Sequence, residues 1–539
     1  MVRTGFRWTS LLLPLCALVL VLPVLALALT SLQWDAQAAD VLRQMAQTVL
    51  PEYAATSLWL SVAVAIGVAV VGMGTACVVT QFEFPGRRVA EWALLLPLAM
   101  PAYVVAYAYT DFLQFSGPLQ TLLRETFGLR GRMFPEVRNL GGAVWVFTFT
   151  LYPYVYLLAR TALTEHASQL MEAARLLGAP LSRRLREVAL PLARPAVAAG
   201  VALALMETLA DFGVASYFGI QTFTAGIYKA WLVMDNRLAA AQLATLLLAS
   251  VGVLLWLERH SQRRLRFASG RGQRSGGFEA RPVHLQGAAR WVAWGACSVP
   301  VLTGFVLPVL FMLRPLMEGW ETLPIGAYGQ WALNSLLLAL VSAMLATALA
   351  FWLAFAQRRQ PGMVTRGVAQ LVGLGYAVPG AVVVVGLLLP VGGIQRVAPQ
   401  ASVGYWVTAT VLGVLWAYMV RFTAVALQSV QSGYARISPA LDDSARMLGS
   451  SGVGLLRQVH WPLLRGSTAA AILLVFVDVM KELPATLVLR PFNWDTLAVV
   501  TYQLARDERL GEAALPALTL VAVGLIPVIM LSRTLQRRR

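Results

Sequence analysis

Charge is scarce in this chain. Of its 539 residues only 13% are Asp, Glu, Lys or Arg, against roughly 25% in an ordinary soluble domain, which excludes a water-soluble globule for most of it. Cysteine and histidine are rarer still, at three and four residues. Cys16, Cys77 and Cys297 all lie in apolar runs without paired spacing, so neither a disulfide framework nor a Cys-based metal site is indicated. His166, His260, His284 and His460 fall in polar segments with no ligand-like or triad-like spacing, which argues against a membrane enzyme and marks them as surface residues. No Gly-x-x-x-x-Gly-Lys-[Ser/Thr] run occurs, so the loop that cradles nucleotide phosphates is missing and the chain should not hydrolyse ATP itself.

What is abundant is apolar sequence, 58% of the residues. Runs long enough to cross a hydrocarbon core of roughly 30 Å fall near 9–32, 56–80, 90–110, 142–163, 195–218 and 238–256. Six more fall near 291–313, 328–357, 366–391, 403–425, 467–489 and 514–532. The reading is an all-α membrane protein of about twelve transmembrane helices. The first run follows Arg3 and Arg7 and is read as a retained span, being longer than a signal-peptide core. The net charge of +17 is a topology signal. With both termini cytoplasmic, most Lys and Arg fall on the cytoplasmic side, as the positive-inside rule requires, and no contiguous basic face suggests a nucleic-acid partner. The exception is 112–141, where Arg124, Arg130, Arg132 and Arg138 alternate with Glu125 and Glu136 on the outer side; this is read as a small external element.

The chain repeats itself. Gly178 and Gly449, Arg175 and Arg446, Leu185 and Leu456, and Pro191 and Pro462 are all 271 residues apart. Thr56-Ser57-Leu58 matches Asn334-Ser335-Leu336, and Pro101 matches Pro379, at 278; Tyr228 matches Tyr502 at 274. Six spans per copy give two parallel six-helix repeats in the same orientation, 1–260 and 291–539, joined by a basic Gly/Ser/Arg cytoplasmic linker at 261–290. Two such bundles are expected to enclose a pathway.

Between the fourth and fifth spans each copy carries a basic, glycine-broken segment, Met171–Pro195 and Leu441–Gly466. Met171 to Leu177 is a good helix former; Gly178 suits a left-handed cap and Pro180 discourages continuation. A second amphipathic stretch follows, with Pro191 expected to break the chain before the next span. The predicted object is a short helix–turn–helix at the cytoplasmic surface. Small residues at its bend would let another protein's groove approach the backbone.

Glu172-Ala173-Ala174, Gly178 and Pro191 resemble the EAA loop of binding-protein-dependent ABC importer permeases. Asp443-Ser444-Ala445, Gly449 and Pro462 are similar but depart from it, with Asp for Glu and Ser for the first Ala. The resemblance covers nearly the whole chain as a fused pair of permease domains. It implies the type I importer (MetI-like) permease fold, a cytoplasmic ABC ATPase dimer that carries ATP-Mg and receives both loops, a periplasmic substrate-binding protein, and residence in a bacterial inner membrane. No cofactor bound by this chain is implied.

Ionisable residues inside spans are functional candidates by default. They concentrate in METLADFG, with Glu207 and Asp211, and in DVMKELPATL, with Asp478, Lys481 and Glu482. At the 271 offset Glu207 lies over Asp478 and Asp211 over Glu482. They either hold helices together or line the pathway of a cationic solute. These stretches resemble most closely the permeases of ferric-iron importers, with thiamine and aminophosphonate permeases as alternatives. Ferric ion is a hard cation suited to carboxylate and phenolate oxygens. Tyr103, Tyr107, Tyr109 and Asp111 could supply such donors but read more readily as an interfacial aromatic belt. A secondary carrier of the major-facilitator kind shares the span count but lacks its loop pattern here.

Overall fold

The computed structural model describes residues 6–32, 36–128, 130–165, 168–269, 283–319, 321, 323, 325–450 and 452–537. His166 and the linker residues 270–282 lie outside them. Within the described residues eleven helices are long and apolar enough to span a membrane, or up to twelve if one bent pair counts as a single span. That pair, Arg87–Ala99 and Ala102–Phe127, bends by 91° at Pro101, whose ring and missing N–H cannot continue a helix. Pro379 stands at the same place in the second repeat, between Gly375–Ala377 and the Gly380–Val397 helix. The only strand pairing among the described residues is a two-residue parallel bridge, Phe82–Glu83 with Val283–His284. The molecule is an all-α membrane protein.

The chain divides into two compact units, and each takes segments from both repeats. The first comprises Met1–Arg43, Ile227–Leu248 and Pro324–Val500. At its centre the Ile325–Arg359, Leu412–Tyr434 and Trp461–Met480 helices pack pairwise. The first-repeat helix Phe6–Leu32 lies against Gly380–Val397; a Cβ at Gly386 would sit 3.1 Å from Pro23 Cα. Trp416 Nε1 donates to the Val19 carbonyl at 2.9 Å.

The second unit comprises Gln44–Gly226, Ala249–Leu323 and Thr501–Arg539. Its centre is the corresponding trio Leu50–Gln81, Leu140–Glu165 and Leu190–Ala210. Gly72 and Gly200 both meet Val155, and a Cβ on either would come within 2.6 Å of it, the close approach small residues give to membrane helices. Here a second-repeat segment is the guest: Phe311 stacks on Phe112 with centroids 3.8 Å apart.

The repeat is visible in single hydrogen bonds. Ser57 Oγ accepts from Phe223 N at 3.2 Å, and its counterpart Ser335 Oγ accepts from Leu497 N at 2.7 Å.

Candidate functional site: two loops and two helix breaks

The helices Ser168–Leu176 and Pro439–Met447 end in the same way. Gly178 and Gly449 adopt φ of +78° and +85°, a conformation that costs any residue with a Cβ. Ala179 N donates to Ala174 O at 3.0 Å and Gly178 N to Arg175 O at 3.0 Å; 271 residues on, Ser450 N donates to Ala445 O at 2.9 Å and Gly449 N to Arg446 O at 3.0 Å. Both are the six-to-one, left-handed closure of a helix end. The bends present apolar tips to solvent: Leu176 and Leu177 are 83% and 87% exposed, Met447 and Leu448 both 88%. Exposed paired apolar side chains on a rigid bend are what a partner's groove would cover.

The small residues flank that tip. Ala173 is exposed and Ala174 half-buried; Ser444 is exposed and Ala445 buried. Glu172 and Asp443 reach back within their own helices, to Arg175 at 3.8 Å and Arg446 at 3.0 Å. Pro191 and Pro462 do not break the chain as expected. A five-residue widened turn, Leu185–Ala189 and Leu456–His460, precedes each, and the helix runs on into the fifth span. The wider turn relieves the clash of the proline ring with the preceding carbonyls, so one continuous rod of helix joins loop to span.

That rod stops where the acids sit. The Leu190–Ala210 helix ends at Asp211, whose Oδ1 accepts from Val214 N at 2.8 Å and so caps the short Gly213–Phe218 helix. Glu482 does the same for Pro484–Leu489, with Oε1 accepting from Ala485 N at 2.9 Å and Oε2 from Thr486 N at 3.1 Å. Each carboxylate satisfies donors that a helix start leaves open. There the likeness ends. Glu482 is buried and ion-paired to Arg421 Nη1 at 2.9 Å, whereas Thr150 occupies the position corresponding to Arg421 and Asp211 is only half-buried. Asp478 is half-buried and pairs with Lys481 at 3.1 Å; Glu207, one turn before Asp211, is half-buried too.

The tyrosines correct one expectation. Tyr103, Tyr107 and Tyr109 are buried inside the second unit instead of forming an interfacial belt. Tyr109 donates to the Thr303 carbonyl at 2.7 Å, and Tyr107 lies edge-on to Tyr217 at 4.5 Å. Tyr217 is covered by Arg138 of the 112–141 element, 4.6 Å over its ring, beside a cavity of about 120 Å³ that also touches Gln120 and Glu508. Arg138 thus ties the 112–141 element to the helices of the second unit, a contact that the charge alternation of the element did not indicate.

His460 is the second correction. It is 1% exposed, held between Asp442 Oδ1 at 3.1 Å and the Tyr434 hydroxyl at 3.2 Å. The sequence carried a signal for it: at the 271 offset, Met171 and Ala189 become polar together as Asp442 and His460. Among the described residues no three His, Cys, Asp or Glu side chains converge as a metal site.

Known proteins bear on this geometry. Residues 68–267 match the family described as binding-protein-dependent transport system inner membrane component. A Haemophilus influenzae Fe(3+)-transport system permease protein is 24% identical over 98% of this chain and 98% of its own length. The sulfate transport system permease protein CysT of Salmonella typhimurium is 33% identical over 38% of this chain and 70% of its own. A Salmonella typhimurium permease protein named for 2-aminoethylphosphonate transport is 28% identical over 43% of this chain and 83% of its own.

Proposed function

The chain belongs to the binding-protein-dependent transport system inner membrane components, the multi-pass permeases of ABC importers, and we propose that it conducts ferric iron, driven by a cytoplasmic ATPase dimer that grips its two loops. The observation that carries the coupling part is the pair of equally capped, apolar-tipped bends at Leu177–Gly178 and Leu448–Gly449. In this reading ATP-Mg is held by the partner, a periplasmic binding protein delivers the solute, and both termini are cytoplasmic.

The mechanics follow from the rods. A partner that binds two conformations of the loops unequally shifts the permease between them. Because each loop continues through a widened turn into its fifth span, tilting the bend tilts that span up to its break at Asp211 or Glu482. Glu207 and Asp211 are the pathway acids of this proposal, while Glu482 is committed to Arg421 and the cap.

Iron is supported by likeness along the whole chain to a permease named for Fe(3+) transport and by the carboxylate oxygens of Glu207 and Asp211 at the first break, which suit a hard cation. The relative named for 2-aminoethylphosphonate favours that solute as the second reading. The permease reconstituted with its ATPase and binding protein separates them: ATP-dependent uptake of ferric ion supports the first, and uptake of 2-aminoethylphosphonate alone the second.

A further inference from the structure

The two loops have the same outer shape but different roots. Beneath the first, the apolar Met171 and Ala189 are fully buried. Beneath the second, the corresponding Asp442 and His460 are also buried and hydrogen-bonded to each other. Arg358 Nε donates to Asp442 Oδ2 at 2.9 Å, and Arg358 Nη2 donates to the Ile437 carbonyl at 3.0 Å. His460 Nε2 meets Asp442 Oδ1 at 3.1 Å, and His460 Nδ1 meets the Tyr434 hydroxyl at 3.2 Å.

These contacts join four pieces of the first unit. Asp442 belongs to the loop helix Pro439–Met447, Arg358 to the last turn of Ile325–Arg359, Tyr434 to the end of Leu412–Tyr434, and His460 to the widened turn that opens the fifth span. An apolar contact can slide by fractions of an ångström at little cost. A buried carboxylate held by two charged or polar donors cannot, because each lost bond leaves a desolvated charge unpaired.

We propose that Asp442, with Arg358 and His460, is a positioning cluster that makes the second loop a stiff lever, passing motion to three helices at once, while the first loop, with Met171 and Ala189 at these positions, has no such ionic tie among the described residues. The inference rests on the coupling reading above. It assigns the two loops unequal mechanical work and gives the Glu172/Asp443 difference a context: the second socket departs from the first inside as well as outside.

The test copies the first loop's root into the second. Replacing a whole buried ionic cluster by apolar residues of suitable shape is often neutral for stability, whereas removing one partner is not. The double variant Asp442→Met with His460→Ala, made on an Arg358→Met background that leaves no charge stranded, therefore separates holding the fold from transmitting motion. The permease–ATPase complex is placed in lipid nanodiscs, and hydrogen exchange in the last turns of Ile325–Arg359 is compared without nucleotide and with ATP plus vanadate. The unsubstituted complex is expected to show a nucleotide-dependent change there. The double variant should keep its ATPase and hydrolyse ATP but lose that change, and uptake per ATP in proteoliposomes should fall at least tenfold; Asp442→Glu, which keeps the charge, should recover part of it. An unchanged exchange response and unchanged uptake per ATP in the double variant would overturn the proposal. So would loss of ATPase binding in the double variant and in Asp442→Asn alike, since the cluster would then serve docking. If the unsubstituted complex takes up no ferric ion, the substrate reading fails, and the exchange measurement still decides this one.

Discussion

Arg421 and Glu482 form a buried ion pair, Nη1 to Oε1 at 2.9 Å, at the break in the fifth span of the second repeat. The first repeat has a threonine, Thr150, where the arginine stands and an acid, Asp211, where the glutamate stands. The second repeat neutralises its capping acid, whereas among the described residues no cation pairs with Asp211. The pair therefore separates a structural acid from a candidate pathway acid.

Removing one partner of a buried pair strands the other's charge at a cost of about 3–5 kcal/mol. Arg421→Met should lower the thermal midpoint of the purified permease markedly, and adding Glu482→Gln should recover much of the loss. Equal midpoints for Arg421→Met and the parent would show that Glu482 is not held by this contact.

Asp211→Asn keeps the oxygen that accepts from Val214 N and removes the charge. Uptake should drop by an order of magnitude or more while the ATPase still co-purifies. Loss of the assembled complex would instead make Asp211 a packing residue.

Gly178 and Gly449 have open space around a built Cβ but strained φ for any other residue. Valine at both should cost about 1–3 kcal/mol per site in local strain and clash with nothing. Helix content by circular dichroism should hold, and ATPase retention and uptake should fall together. Normal uptake and assembly in this double variant would remove the lever from the account.

Burial tends to raise the Asp442 carboxyl pKa, but hydrogen bonds and charge from Arg358 and His460 outweigh it and hold the group below its ordinary value. A depressed folded pKa means that the stabilisation is complete above the unfolded value of about 3.9 and is lost as pH falls through the folded value. Thermal midpoints of the parent should therefore fall more steeply than those of Asp442→Asn as pH drops below about 4, and Asp442 should contribute no slope between pH 6 and 8. Parallel curves in acid would contradict the network.

Spans, repeat and loops were legible because each is written locally: an apolar run, a matched register, a glycine before a proline. The left-handed caps at Gly178 and Gly449 followed from the same signals. Partner choice was not legible. Nothing in the apolar helix Phe6–Leu32 says that it packs on Gly380–Val397 of the other repeat, since one lipid-like face resembles another. The fate of Pro191 and Pro462 also escaped the sequence, because the widened turn that absorbs each is a backbone adjustment that residue types do not encode. His460 looked like a surface residue because its partner Asp442 is eighteen residues away and its other neighbours come from separate helices.

The most direct test is ATP-dependent uptake of ferric ion into proteoliposomes holding this chain, with and without its ATPase and binding protein. The account predicts uptake only when both partners and ATP are present. Uptake driven by a proton gradient through the chain alone would contradict it.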